Sequence, residues 1–205
     1  MKQAKDFILT GNRVLPSGCH LMTFVAADGA KLPPIEPGQF VQVRIDNSPK
    51  AFLRRPISIC DVRYDTELVL FVKPQGEGTQ RLVELPENAM TNIMLPLGHG
   101  FTCQDSRGGK VLLVGGGVGA APLVALSRRL SAVGADVTVA IGGRSALDVE
   151  GVDALYAGSV SRILVSTDDG SYGHEGVVTC LPEFDEVFDR IYCCGPTPMM
   201  KAVAR

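Results

Sequence analysis

The sequence predicts a small β barrel followed by a doubly wound α/β domain. Three observations predict it: short β-type runs broken by turn residues up to about residue 100, a switch to alternating strands and helices after Gly108-Gly109-Lys110, and a glycine-rich run directly after the next buried strand. Domain boundaries at 1–100 and 101–205 follow. A chain of 205 residues has the length for two small domains, since domains commonly run to roughly 100–150 residues.

The β-type runs of the first half are Phe7–Leu15, His20–Ala26, Gln39–Ile45, Ile57–Val62, Leu68–Lys73 and Thr91–Leu97. Gly, Pro, Asn and Asp punctuate them, as in Leu32-Pro33-Pro34 and Pro37-Gly38. Six short strands without a long helical period suit a closed antiparallel barrel, which leaves no exposed sheet edge. In the second half the strand candidates are Val111–Val114, Asp136–Ile141, Ile163–Ser166 and Arg190–Cys194. Each is a near-continuous apolar run of the kind buried on both faces of a parallel sheet. Helices are expected at Ala121–Val133, near Ala146–Tyr156, briefly around Thr179–Phe184, and from Thr197-Pro198 onward, which makes the domain doubly wound.

A 45% apolar fraction, 20% charged residues and a net charge of −2 describe an ordinary globular chain,. They argue against nucleic acid as a partner, because Arg54-Arg55 and Arg128-Arg129 are the largest basic clusters and neither could track a phosphate backbone. The opening residues lack the apolar core of a signal peptide. The uncharged run between Lys110 and Arg128 is broken by glycines and Pro122, and it falls short of the roughly 20 residues of a spanning helix. The expectation is a cytoplasmic protein with no membrane contact. Six cysteines without scaffold or Cys-x-x-Cys spacing suit a reducing compartment, and neither they nor His20 and His99 have metal-ligand spacing,.

Candidate site residues come from short segments. Gly115, Gly116, Gly117 and Gly119 follow a buried strand and open a helix, where glycines let the backbone turn tightly against a pyrophosphate that the helix N-terminus stabilises. The acidic residue that often follows the second strand of such folds is missing; Gly142-Gly143-Arg144-Ser145 stands there instead. A turn that needs glycine only for packing would read the same. Arg55-Pro56-Ile57-Ser58 places a guanidinium, able to hold a diphosphate bidentately, beside a hydroxyl able to hydrogen-bond a redox ring. A solvated Arg-Arg pair before an ordinary strand is the bland alternative. Gly76-Glu77-Gly78-Thr79 supplies a second turn for the same diphosphate. Cys194-Gly195-Pro196 ends a strand at the sheet edge where open α/β folds bind ligands, so Cys194 can lie against a nicotinamide ring; Cys193, pointing the other way, reads as core. The polar loop Ser166-Thr167-Asp168-Asp169-Gly170-Ser171-Tyr172-Gly173-His174 lies on the same side, where its hydroxyls can reach a nucleotide ribose; a solvated turn explains it comparably. The order of these pieces lays out a flavin site on a barrel and a pyridine-nucleotide site on the domain after it.

Barrel, Arg55–Ser58 segment, Gly76–Thr79 turn, Gly115–Pro122 loop and Cys194–Pro196 strand end together resemble the ferredoxin-reductase-type flavoproteins over the whole chain. More narrowly, Arg54–Ile59, Gly76–Thr79, Leu95–Phe101, Thr167–Thr179 and Cys194–Val203 look like the electron-transfer subunits of dihydroorotate dehydrogenase. The resemblance implies FAD at Arg55, Pro56, Ile57 and Ser58, with Val72, Lys73, Gly78 and Thr79 closing over it. It implies NAD(H) at Gly115, Gly116, Gly117, Gly119, Cys194, Gly195 and Pro196, with Ser58 and Cys194 nearest the chemistry. It further implies an FMN-containing catalytic subunit as partner in a heterotetramer, a [2Fe-2S] cluster between the two flavins, and a place in pyrimidine biosynthesis. Family members continue past the Thr197 helix into a cysteine-rich segment that ligates the cluster, whereas this sequence stops at Arg205. The simplest account is a truncated sequence, and as written it is expected to hold no cluster, because its six cysteines lack the required spacing. Two other readings stay open: a general flavin or ferredoxin reductase subunit using NAD or NADP, and a non-catalytic nucleotide-binding module.

Overall fold

The computed structural model describes residues 2–46, 52–103 and 106–205. The chain divides into two compact units, Met1–Phe101 and Thr102–Arg205. In the first, strands β1 (Gln3–Val14), β2 (His20–Ala26), β3 (Phe40–Val43), β4 (Arg55–Arg63), β5 (Glu67–Val72) and β6 (Met90–Leu97) close a barrel in the order β1-β2-β5-β4-β3-β6. Every neighbouring pair is antiparallel. Alternate residues point inward, so Phe7 and Leu9 of β1, Met22 and Phe24 of β2, Val41 and Val43 of β3, Leu68 and Leu70 of β5, and Ile93 and Leu95 of β6 fill one core,.

A helix that the sequence reading does not anticipate, α1 (Glu77–Val83), follows β5 and contributes Leu82 and Val83 to that core. Its pattern was obscured by Gly78 and by a length of only two turns. Glu77 in its first turn and Arg81 in its last complement the helix dipole,. The tandem arginines part company here. Arg54 donates to the backbone carbonyl and side-chain oxygen of Asn92 at 2.9 and 2.6 Å and to the Gln42 carbonyl at 3.3 Å. It thereby ties the start of β4 to β3 and β6.

The second unit is a five-stranded, all-parallel sheet in the order β10-β9-β8-β7-β11, formed by β7 (Lys110–Gly116), β8 (Asp136–Gly143), β9 (Arg162–Thr167), the short β10 (His174–Glu175) and β11 (Arg190–Cys194). Helix α2 (Ala121–Ala132) buries Leu123, Val124, Leu126 and Leu130, and α4 (Thr197–Val203) packs Met199 and Val203 against Leu112, Val114 and Ala140.

Two expected helices are corrected. The stretch Ala146–Tyr156 is a single turn, α3 (Ala146–Val149), followed by a separate 3₁₀ turn at Asp153–Tyr156. Glu150 turns extended (ψ 126°) and Gly151 adopts φ +82°, a conformation glycine takes without strain, so the helix stops,. Thr179–Phe184 becomes two 3₁₀ turns, Val178–Cys180 and Pro182–Asp185, because Leu181 precedes proline and is held extended at φ −64°, ψ 133°,. At the N-terminal edge of the sheet Glu186 joins strand starts: both of its carboxylate oxygens accept from Arg162, at 2.7 and 2.8 Å, and one also accepts from Lys110 at 3.2 Å. These cations hold its pKa at about 2, Arg162 contributing most. No helix among the described residues is long and apolar enough to cross a membrane.

Candidate functional site

On the barrel, the segment Arg55-Pro56-Ile57-Ser58 lies within β4, paired residue by residue with Val43, Gln42, Val41 and Phe40 of β3. Alternation splits it between two faces. Ile57 packs against the barrel core, while Pro56 is exposed and Ser58 half-buried on the outer face. The Ser58 hydroxyl makes no hydrogen bond to the described residues, which leaves it able to meet a ring laid on that face. Pro56 has no N–H to present there.

Arg55 leans over the first turn of α1. Its guanidinium rests so closely on Gly78 that any side chain there would collide with it: a Cβ at position 78 would come within 2.8 Å of Cζ and 2.9 Å of Nη2. The geometry therefore brings Arg55 and Gly78 together, and only glycine allows this approach. Arg55 donates through Nη1 to the Leu53 carbonyl at 3.1 Å, leaving further N–H groups of its fork for an anion,. The Thr79 hydroxyl is committed to the turn itself, accepting from the N–H groups of Gln75 and Gly76 at 2.9 and 3.2 Å and donating to the Gly76 carbonyl at 3.1 Å. Val72 is fully buried in the barrel core, and Lys73 beside it is half-buried.

In the second unit β7 lies between β8 and β11, and the chain leaves β7 toward β8 but returns on its other side as β11. The carboxyl ends of β7 and β11 thus flank the topological switch point, the ligand crevice of open α/β sheets. Gly115 pairs with Cys194 there. The glycines of this turn do different work. A Cβ on Gly115 would meet Ala120 at 2.7–2.8 Å; on Gly116, Met199 Sδ and Pro196 Cδ, both at 2.7 Å; on Gly195, Met199 Cε at 2.6 Å. A Cβ on Gly119 would run into the Cys194 carbonyl and lie 2.7 Å from the Gly195 Cα. These four glycines let turn, strand end and α4 close on each other. Gly117 differs: its φ is +52° and nothing lies within 4 Å of a Cβ built on it, so its backbone faces open space where a ligand can approach.

Cys194 and Pro196 complete this edge, Cys194 half-buried and Pro196 exposed as the residue preceding α4. Burial pushes the Cys194 thiol pKa up, so it stays a neutral thiol. Cys193 packs on the opposite side against the Leu112–Val114 core, its pKa raised by burial and then by Cys194. Among the described residues no group of three or more His, Cys, Asp and Glu could hold a metal ion.

Sequence reasoning missed two side chains that shape this edge. Met199 lies against both Gly116 and Gly195, and Tyr156, fully buried, donates to the Ala120 carbonyl at 2.5 Å. An aromatic within Ala154-Leu155-Tyr156-Ala157 was the available signal for the latter.

No family model matches the chain. Curated relatives do. The electron transfer subunit of dihydroorotate dehydrogenase B (NAD(+)) of Shouchella clausii is 42% identical over 171 residues, 82% of this chain and 65% of that protein. Among solved structures, an NADH-dependent reduced ferredoxin-NADP oxidoreductase superposes with a TM-score of 0.81 at 29% identity, covering 96% of this chain and 70% of the other. The flavohem-like FAD/NAD binding domain of nitric oxide dioxygenase from Vibrio cholerae has the same fold, with a TM-score of 0.81 at 20% identity over 98% of this chain and 90% of that one.

The barrel and the parallel sheet together make the FAD/NAD-binding fold of the ferredoxin-reductase type. In sequence the chain is similar to the electron transfer subunits of dihydroorotate dehydrogenase B (NAD(+)), and it spans 65% to 66% of the length of those relatives.

Proposed function

We propose that this chain carries the FAD- and NAD-binding portion of an electron-transfer subunit of NAD-linked dihydroorotate dehydrogenase. The observation that carries the reading is the open Gly117 turn beside the Cys194-Gly195-Pro196 strand end at the sheet's switch point, a place built for a dinucleotide,. FAD, when bound, supplies the redox chemistry by exchanging hydride with nicotinamide.

The chain's own residues bind and orient. The Arg55 fork, seated over Gly78, holds a diphosphate bidentately,. On the outer face of β4, Pro56 offers an apolar ledge and Ser58 a hydroxyl for the hydrogen-bonding edge of a flavin ring, and Ile57 props that strand on the core. In the second unit Gly117 lets the backbone approach a pyrophosphate, while Gly115, Gly116, Gly119 and Gly195 hold the turn against α4 and β11. The neutral Cys194 thiol presents a soft, uncharged surface to nicotinamide, which suits hydride rather than nucleophilic chemistry,. In this reading the chain would hand electrons to an FMN-containing catalytic subunit in a cytoplasmic heterotetramer of pyrimidine biosynthesis, while the six cysteines of this sequence lack the spacing that holds a [2Fe-2S] cluster,. The names of the curated relatives, electron transfer subunits of dihydroorotate dehydrogenase B (NAD(+)), support the electron-transfer role and the use of NAD.

A second reading, a general reductase of ferredoxin or another acceptor, is favoured by the 29% identity to the ferredoxin-NADP oxidoreductase. The deciding experiment is a visible absorbance spectrum of the FAD-reconstituted chain before and after anaerobic addition of NADH. Flavin bands that bleach support hydride transfer; a protein that takes up no FAD sinks both readings. Copurification with a dihydroorotate-oxidising FMN subunit then separates the first from the second.

A further inference from the structure

We infer that the short turn carrying Asp153 and Tyr156 is a brace joining the two nucleotide-facing loops of the α/β unit, with Tyr156 the positioning residue for the glycine turn. The inference rests on the nucleotide reading above. Tyr156 is fully buried, and its hydroxyl donates to the carbonyl of Ala120, the residue that ends the glycine turn and caps α2. Ala120 in turn occupies the space that a side chain on Gly115 would need. The turn is therefore fixed from two directions: it cannot slide toward β7 without overlap, nor away from it without breaking a buried hydrogen bond.

At the start of the same 3₁₀ turn, the Asp153 carboxylate accepts a 2.7 Å hydrogen bond from the hydroxyl of Tyr172. Tyr172 belongs to the polar loop after β9, and its N–H and carbonyl both bond the Thr167 hydroxyl, at 3.1 and 3.0 Å. Asp153 raises the Tyr172 pKa, so that hydroxyl stays a donor at neutral pH. The brace is anchored from behind: Ser159 donates to the Tyr156 carbonyl at 2.9 Å and meets Ser127 of α2 at 2.8 Å.

Phenylalanine would fill the Tyr156 site without taking a hydroxyl out of water, so packing alone gives no reason for a tyrosine. What the hydroxyl adds is direction. One end of the brace sets the turn whose Gly117 faces the diphosphate. Its other end sets the loop at the carboxyl end of β9, on the side of the sheet where the adenosine half would lie. Loss of one such hydrogen bond corresponds to a change of about threefold to tenfold in an equilibrium constant.

The test is calorimetric titration of the full chain with adenosine diphosphoribose, a probe that needs neither flavin nor turnover. Tyr156→Phe is expected to weaken binding about fivefold, and Tyr172→Phe to weaken it similarly. The double variant should lose less than the product of the two, because the second substitution acts on a brace already broken. Leu130→Ala, at the far end of α2, should lower the thermal midpoint and leave the affinity unchanged. Equal binding by wild type and Tyr156→Phe, a strictly additive double variant, or an equal loss in Leu130→Ala would each overturn the brace. Should Tyr156→Phe fail to fold, Asp153→Asn compared with Tyr172→Phe reads the outer end alone, and wild-type affinity in both would overturn it. Failure of the wild type to bind the probe would instead overturn the nucleotide reading.

Discussion

Gly117 and Gly119 are two letters apart and identical in the sequence, yet the structure gives them opposite duties. Gly119 allows the turn to close on the Cys194 carbonyl, so Gly119→Ala is expected to destabilise the fold by about 1–3 kcal/mol through overpacking, read as a lowered urea midpoint,. Gly117→Ala meets no neighbour and bears only the strain of φ +52°, about 1 kcal/mol,. Its larger effect should appear in nucleotide affinity, measured by adenosine diphosphoribose titration. The motif was legible as a glycine run after a buried strand, but the division of labour was not, because it depends on Ala120, Cys194 and Met199 approaching from three directions. Arg54 and Arg55 teach the same lesson. The partner that marks Arg54 as structural, Asn92, lies 38 positions along the chain. Arg55 is distinguished by its seat on Gly78, so Gly78→Ala should leave stability nearly unchanged, because a flexible guanidinium can move aside, while lowering FAD retention after gel filtration.

Strands were easier to read than short helices. All six barrel strands and the four longer strands of the sheet announce themselves by apolar runs between turn residues, whereas α1, α3 and the 3₁₀ turns are too short for a 3.6-residue period to repeat,. What ended the expected helices was local chemistry: Gly151 at positive φ and Pro182 acting on Leu181. The Glu186 junction is tertiary and had no signature at all. Because its carboxyl pKa is depressed from 4.5 to about 2, its stabilising contribution is present above pH 4.5 and is lost as the pH falls toward 2,. Glu186→Gln should therefore be less stable than wild type at neutral pH, and the two thermal midpoints should converge on titration from pH 4.5 down to 2.

At the scale of the molecule the sequence pattern carried the architecture, since the change from turn-punctuated β runs to βα alternation coincides with a change in how strands must be covered. Assignment of the two cofactors to separate units predicts separable protection. In hydrogen exchange, FAD should slow exchange within Met1–Phe101 and adenosine diphosphoribose within Thr102–Arg205, each stabilising the unit that binds it,. Exchange slowed in the same unit by both ligands would contradict the assignment. The second unit also holds Ser166, fully buried at the carboxyl end of β9, whose hydroxyl finds no hydrogen-bond partner among the described residues. Alanine there would relieve a desolvated hydroxyl and should raise stability by about 1 kcal/mol, visible as a higher urea midpoint. A single codon change thus separates this chain from a sturdier version of itself. That slack is the mark of a sequence held above a threshold of stability rather than driven to its maximum, and it gives an engineer a first step.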